Sequence, residues 1–462
     1  MRGRGLIIAA PASGSGKTLV TLGLLRALRD KGVRVAAAKA GPDYIDPTFH
    51  AAASGGPCIN LDTWAMRPAT LARLVAALEA DADIVLCEGV MGLFDGTGPD
   101  GEAGSTAELA RLTGWPVVLV IDARGQGASA AALVGGFARH DQRVPLAGVI
   151  LNRIAGARHR ALIEAALHRH LPEVPCLGAI DGNAELVLPE RHLGLVPAGE
   201  ATRSGNLIDR AATAVTSGVG IDGLLAIARC AAKIPAPPFR GFRGEREGSV
   251  AQQWEGAGAV TALPSLGQRI AVARDDAFLF TYPAILDGWR HAGAEISFFS
   301  PLADEPPNAA ADAIYLPGGY PELHAARLAA AAGFLTGLRK AAASGAAIYG
   351  ECGGYMVLGE TLTDAEGIPH RMTGLLPLDT SFAQRRLHLG YRAATLLAAS
   401  PLGRAGAAFR GHEFHYATTI RVGAAAPLFA LSDASGNDLG PAGLRCGSVA
   451  GSFIHLIDRA DG

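Results

Sequence analysis

The chain has 462 residues, 49% of them hydrophobic, and a formal net charge of −2 at pH 7, which is enough material for two domains with substantial cores. Charge so nearly balanced gives no long-range pull toward nucleic acid or an anionic membrane, and no apolar run approaches the ~20 residues that span a bilayer. The six cysteines (Cys58, Cys87, Cys176, Cys230, Cys352, Cys446) form no C-x-x-C pair or metal-finger spacing, which points to a reducing, cytoplasmic setting in which most are small buried apolar residues.

In chain order, the first apolar run, Leu6–Ala10, flows into Gly, Ser and Lys, so it reads as a buried strand rather than a signal peptide. "APASGSGKT" (10–18) then separates that strand from a helical pattern over Thr18–Arg29, the context of a phosphate-binding loop. Backbone N–H groups of Ser13, Gly14, Ser15 and Gly16 can cradle phosphates, Lys17 can reach the terminal ones, and Thr18 can offer its hydroxyl to Mg²⁺. Pro11 stands where the usual pattern has its first glycine. ATP is the expected nucleotide. Partitioning ATPases with a similar deviant loop carry a lysine at the position of Ala12, so a switch ATPase is the weaker reading.

The next run, Val33–Ala38, leads into "KAGPDYIDPTFH" (39–50), and the third, Ile84–Cys87, into "CEGVMGLFDG" (87–96). In open α/β sheets ligands bind just beyond strand ends, so Lys39, Asp43, Tyr44, Asp46, Glu88 and Asp95 are expected beside the phosphates. Only five of the 41 basic residues are lysines; Lys39 supplies a compact charge for an anionic substrate or the transferring phosphoryl group. Acids beside a triphosphate need neutralising, and Mg²⁺ held by Thr18, Asp46 and Glu88 does this, since Mg²⁺ favours one or two carboxylates with phosphate oxygens and water. A solvated Asp-Pro turn explains Asp43 and Asp46 without any ligand. Further runs at Val117–Ile121 and Ala147–Leu151, with a helical pattern at Ala128–Arg139, complete a doubly wound parallel α/β domain over 1–235.

Residues 236–267 are rich in Pro, Gly and charge without periodicity and read as a linker. Alternation resumes at Arg269–Ala273, Glu295–Phe299, Ala313–Leu316 and Ala346–Tyr349, giving a second α/β domain over 268–462. Its "YGECGGYMVLGE" (349–360) sets Cys352 between glycines at a strand-to-helix turn, where a nucleophile needs small neighbours. The N–H of Gly353, with that of Gly319 in "PGGYPE" (317–322), can serve an oxyanion.

Taken together, "KAGPDYIDPTFH", "EGVMGLFDG", "ECGGYMVLGE" and "GHEFHY" resemble the cobyrinic or hydrogenobyrinic acid a,c-diamide synthases of corrin biosynthesis, from the phosphate loop to the C-terminus. The resemblance implies a dethiobiotin-synthetase-like ATPase domain, in which Asn152 of "LNRIAGARH" contacts adenine, and a class I glutamine amidotransferase-like domain. It implies that Cys352 attacks glutamine with His455 of "GSFIHLI" as base, while His412 and His415 are rivals for that role or part of the framework. Position 457 is Ile where class I amidotransferases usually show a glutamate two residues after the histidine; Glu413 or Asp458 could replace it as orienter. The implied activity is ATP- and glutamine-dependent amidation of the a and c acetates of a corrin ring through an acyl phosphate. Expected partners are glutamine and a corrin polycarboxylate, with no nucleic acid and no membrane; a homodimer is left open. Amidation of another tetrapyrrole, such as nickel sirohydrochlorin, is the nearest enzymatic alternative, and a macrocycle carrier the non-enzymatic one.

Overall fold

Seven short apolar segments of the N-terminal half become the strands of one wholly parallel sheet: β1 (Arg4–Ala9), β2 (Val35–Ala40), β3 (Cys58–Leu61), β4 (Ile84–Glu88), β5 (Val117–Asp122), β6 (Leu146–Ile154) and β7 (Cys176–Asp181). Their order is β3-β2-β4-β1-β5-β6-β7. Nearly every residue of β1, β4 and β5 is buried, which a strand achieves only when helices cover both faces of its sheet. The computed structural model describes residues 3–98, 100–183, 186, 190–191, 194–195, 204–232, 234 and 262–460.

The helices follow the strands in alternation: α1 (Lys17–Asp30), α2 (Asp46–Ser54), α3 (Pro68–Asp81), α4 (Thr106–Thr113), α5 (Ser129–His140) and α6 (Ala157–His170). The apolar stripe of α1, including Val20, Leu24 and Leu28, joins Leu6 and Ile8 of β1 in the core. Because β2, β4 and β1 are neighbours, Glu88 pairs in register with Lys39 on one side and Ile8 on the other. Three strand ends thus deliver the phosphate loop, Lys39 and Glu88 to one place. Two strands run further than their apolar runs suggest: β2 extends to Ala40, so Lys39 lies within the strand rather than past its end, and β6 extends to Ile154 and takes in Asn152. In both cases the polar residue keeps the backbone pairing that its neighbours begin.

By contact density the chain divides into one unit of Met1–Trp64 with Leu71–Pro235 and a second of Ala65–Thr70 with Ala236–Gly462. Of the segment read as a linker, residues 236–261 lie outside the described residues. In the second unit a ten-stranded sheet begins parallel, with Glu295–Phe299, Arg269–Ala273, Ala313–Leu316, Ala347–Glu351 and Val449–Ser452 side by side. It continues antiparallel through Asp438–Cys446, Ala426–Ser432, His388–Leu396, Ala408–His415 and Ile454–Arg459. Only Phe453 separates Val449–Ser452 from Ile454–Arg459, so the antiparallel part curls back toward the strand that precedes Cys352.

Candidate functional site

The phosphate loop is built on two left-handed glycines, Gly14 (φ 78°) and Gly16 (φ 87°), a conformation that side-chain-bearing residues resist. Gly16 caps α1 without any side-chain hydrogen bond, leaving the helix N–H groups directed at the loop. Ser13 and Gly14 are exposed at its tip, and the Ser15 hydroxyl turns inward to donate to the Ala12 carbonyl at 2.8 Å. From β6, Asn152 donates to the Ser15 carbonyl at 3.0 Å and accepts from the Arg153 N–H at 3.0 Å, while Arg153 donates to the Gly14 carbonyl at 2.8 Å. A Cβ on Gly16 would stand 2.2 Å from the Asn152 amide nitrogen. The residue expected at adenine therefore holds the loop itself, with both ends of its amide engaged on backbone.

Behind the loop lies a buried knot of charge. Glu88, fully buried, accepts from the Thr18 hydroxyl at 2.6 Å, and the same oxygen lies 3.1 Å from Lys39 Nζ and 3.6 Å from Lys17 Nζ. Lys39 also reaches Asp46 Oδ2 at 2.7 Å. His50 Nε2 lies 2.6 Å from the other Glu88 oxygen, and its Nδ1–H donates to the Asp46 carbonyl at 2.7 Å. Burial pushes the Glu88 pKa up, but Lys39, His50 and Lys17 outweigh it and hold the carboxyl well below its usual range. Burial lowers the Lys17 pKa; for Lys39 burial acts the same way, but Asp46 and Glu88 override it and raise the pKa. Lys17, Lys39 and His50 thus face Glu88, and Lys39 also faces Asp46, within the protein itself. The donors themselves, a hydroxyl and carboxylates, are the hard oxygens that Mg²⁺ takes, and Thr18 and Glu88 already present two of them at adjoining positions.

The rest of "KAGPDYIDPTFH" is a braced turn. Asp43 accepts from the N–H groups of Ile45 and Asp46, and Asn60 at the end of β3 donates to the carbonyls of Gly41 and Asp43. Burial, then the neighbouring Asp46, pushes the Asp43 pKa up to about 7. Tyr44 is buried and Asp95 accepts from the Gly92 N–H at 2.9 Å. His50 and Asn60 were not singled out from sequence. His50 closes the quoted motif, and its place one helical turn after Asp46 was the available signal.

In the second unit Cys352 sits at φ 46°, ψ −102°, outside the ordinary regions for a residue with a side chain, between the strand Ala347–Glu351 and the helix Gly353–Leu358. Its glycine neighbours are forced by packing: a Cβ on Gly350 would come 2.8 Å from the Gly354 backbone, one on Gly354 2.0 Å from the Leu316 carbonyl oxygen. A Cβ on Gly353 would lie 3.0 Å from the Gly319 nitrogen, so the two expected oxyanion donors stand together. His455 is fully buried; a single point, the missing Cβ of Gly318, lies 2.4 Å from its Cε1, 3.1 Å from its Nε2 and 3.2 Å from the Cys352 Cβ. Burial, with Glu322 adding to it, pushes the Cys352 thiol well up, and burial lowers the His455 pKa to about 3.

Of the rival histidines, one is held by its ring and the other lies on the strand beside His455. His415 is held at both ring nitrogens, by the Ala417 carbonyl (3.1 Å) and Glu413 (3.0 Å), and stacks on Phe453. His412 pairs in register with His455 across the sheet. Both expected orienters are engaged elsewhere: Glu413 pairs with His415 and with Arg392 at 2.7 Å, though its charge still acts to raise the His455 pKa, and Asp458 accepts from Arg67 at 2.8 and 3.0 Å. Among the described residues one group could hold a metal by its donors, His388, Glu413 and His415, and Arg392 already neutralises its carboxylate. Cys58, Cys87 and Cys352 are buried and Cys176 is half-buried, while Cys230 and Cys446 are exposed, so burial holds for three of the six. No helix among the described residues is long and apolar enough to cross a membrane.

Comparison with known proteins agrees with both halves. Residues 6–196 match the CobQ/CobB/MinD/ParA nucleotide binding domain, and residues 269–461 the CobB/CobQ-like glutamine amidotransferase domain. The chain is 52% identical over 456 residues to the hydrogenobyrinate a,c-diamide synthase of Brucella anthropi, covering 98% of each chain. It is 52% identical over 461 residues to the protein of that name from Rhizobium meliloti, covering 99% of this chain and all of the relative.

Proposed function

The chain belongs to the hydrogenobyrinate a,c-diamide synthase family, and from that premise we propose that it converts two acetate carboxylates of a metal-free corrin, hydrogenobyrinate, to amides using ATP and glutamine. The observation that carries this reading is the pairing, in one chain, of a phosphate loop backed by Lys39, Asp46 and Glu88 with a cysteine on a strained strand-to-helix turn beside a buried histidine.

Cys352 loses its proton to His455 and adds to the glutamine amide carbon; the Gly353 and Gly319 N–H groups receive the oxyanion, ammonia leaves, and water hydrolyses the thioester to glutamate. In the first unit the loop and Lys17 hold the ATP phosphates while a corrin carboxylate attacks the γ-phosphorus, the bond to the β,γ-bridging oxygen breaks and ADP leaves. The resulting acyl phosphate is then displaced by ammonia to give amide and phosphate. Asp43 and Tyr44 in the turn before α2, and Asp95 in the loop after β4, shape the loops that receive the carboxylate. Thr18, Asp46 and Glu88 would hold Mg²⁺, whose chemistry is to neutralise phosphate charge. Lys39, fixed 2.7 Å from Asp46 and 3.1 Å from Glu88, places its ammonium to meet the transferring phosphoryl group.

The test is mass spectrometry of hydrogenobyrinic and cobyrinic acids incubated with protein, Mg·ATP and glutamine. Two successive exchanges of carboxyl OH for NH₂ on hydrogenobyrinic acid are expected. Hydrolysis of ATP with no mass change on either ring would overturn the substrate assignment.

A further inference from the structure

We propose that Glu351 is the residue that positions His455, taking the part of the glutamate that position 457 lacks. The proposal rests on the reading of Cys352 and His455 as nucleophile and base.

The geometry is specific. Glu351 Oε2 lies 3.9 Å from His455 Nδ1, with both side chains buried. The imidazole presents its Cε1–Nε2 edge to Gly318 and the Cys352 side, while its Nδ1 is the nitrogen that faces Glu351. The carboxylate is itself held rigidly: its Oε2 accepts from the Tyr315 hydroxyl at 2.7 Å and its Oε1 from the Leu456 N–H at 3.1 Å. That second bond ties the residue before the nucleophile to the residue after the base, across 105 positions of sequence. The two carboxylates that sequence offered for the task are spent on Arg392 with His415 and on Arg67.

Charge explains why such a partner is needed. A thiol that gives its proton to a fully buried imidazole creates a cation where burial opposes one. Burial likewise pushes the Glu351 pKa up to about 7, against the Tyr315 hydroxyl, the Leu456 N–H and the Tyr349 hydroxyl, which favour the charged form. Each group alone resists charging. As an imidazolium and a carboxylate within ion-pair distance, each supplies the other's counter-ion. The facing groups are Tyr315 on the neighbouring strand, Tyr349 on its own strand and His455 from the strand Ile454–Arg459. Position 457 cannot contribute, being a buried isoleucine.

The experiment compares wild type, Glu351→Gln, Tyr315→Phe and Cys352→Ser in glutamine hydrolysis across pH, and in synthesis supported by ammonium salts. Glu351→Gln keeps the shape and the acceptor for Leu456, yet should lower the glutaminase kcat roughly 10²-fold with little change in KM for glutamine. Its residual rate should lose the acid limb centred near pH 7 that ionisation of Glu351 gives the wild type. Tyr315→Phe removes a donor to the charged carboxylate, so its acid limb should move to higher pH. A merely structural role for Glu351 moves neither limb. A Glu351→Gln enzyme within about threefold of wild type, with an unchanged pH midpoint, would overturn the proposal, provided Cys352→Ser is inactive. Glutaminase surviving in Cys352→Ser would instead remove the reading beneath it, and ammonium-supported synthesis reports independently that the chain is folded.

Discussion

The two reaction centres solve opposite electrostatic problems. Around Glu88, charged groups are crowded out of water and balanced against one another: two lysines and a histidine against three acids in one turn and one strand end. Around Cys352 the reacting groups themselves are neutral: burial pushes the thiol pKa up and the imidazole pKa down, acids such as Glu322 only adding to the first, and the backbone supplies the strain. The difference follows from the chemistry each suits. Phosphoryl transfer starts from a highly charged substrate and needs fixed counter-charges that require no reorganisation, whereas thioester formation starts from neutral glutamine and generates charge only in passing.

If that contrast is right, the centres fail separately. Cys352→Ser should reduce glutamine-supported synthesis by roughly 10⁴-fold or more, because the weaker nucleophile loses its thiolate route, while ammonium-supported synthesis persists. Equal loss of both, measured as product per enzyme, would break the division. Conversely Glu88→Gln should leave glutamine hydrolysis intact and lower synthesis roughly 10³-fold, since it leaves Lys39 and Lys17 without their shared counter-ion.

Gly318→Ala sharpens the geometric half. The added methyl would stand 2.4 Å from His455 Cε1 and 3.2 Å from the Cys352 Cβ, forcing the imidazole aside by a distance on the order of 1 Å and the glutaminase kcat down about 10²-fold. Synthesis from ammonium should not change. On the other side, Asn152→Ala removes one bond to the phosphate loop. It should raise KM for ATP about fivefold, matching the ~1 kcal/mol that such a bond contributes; no change in KM would remove Asn152 from the nucleotide site.

What was legible in the sequence shares the same divide. The parallel strands announce themselves as unbroken apolar runs, since burial on both faces leaves no room for polar residues. Glycines at 14, 16, 353 and 354 mark backbone that permits no side chain. The antiparallel strands did not show. His388–Leu396 and Asp438–Cys446 mix Gly, Pro and Arg with a half-exposed pattern, and the four-residue β3 is too short to carry a period. Equally hidden were His50, Asn60 and Glu351. Their partners are set by strand register and chain reversal over long separations, as with Glu351 and Leu456, and no local spacing encodes that.

The smallest expected effect is on stability, and it follows from burying an acid where the reaction needs one. Glu351 has its pKa pushed from the usual carboxylate value up to about 7 by burial. Protonation is therefore favoured in the folded protein, and the sign is fixed: this group's contribution is fully present below the unfolded value near 4.3 and is lost as pH rises toward and through 7. The limit is about 4 kcal/mol, from ~1.4 kcal/mol for each pKa unit, and less where Tyr315 and the Leu456 N–H relax to follow the charge. Glutamine at 351 titrates nowhere. Glu351→Gln should thus match wild type in thermal unfolding of the second unit at pH 4 and exceed it by about 5 °C at pH 8, a gain in stability where activity falls. Equal melting at both pH values would mean that Glu351 is ionised at no cost in the resting protein, and the contrast between a neutral glutaminase centre and a charged ATP centre would have to be redrawn.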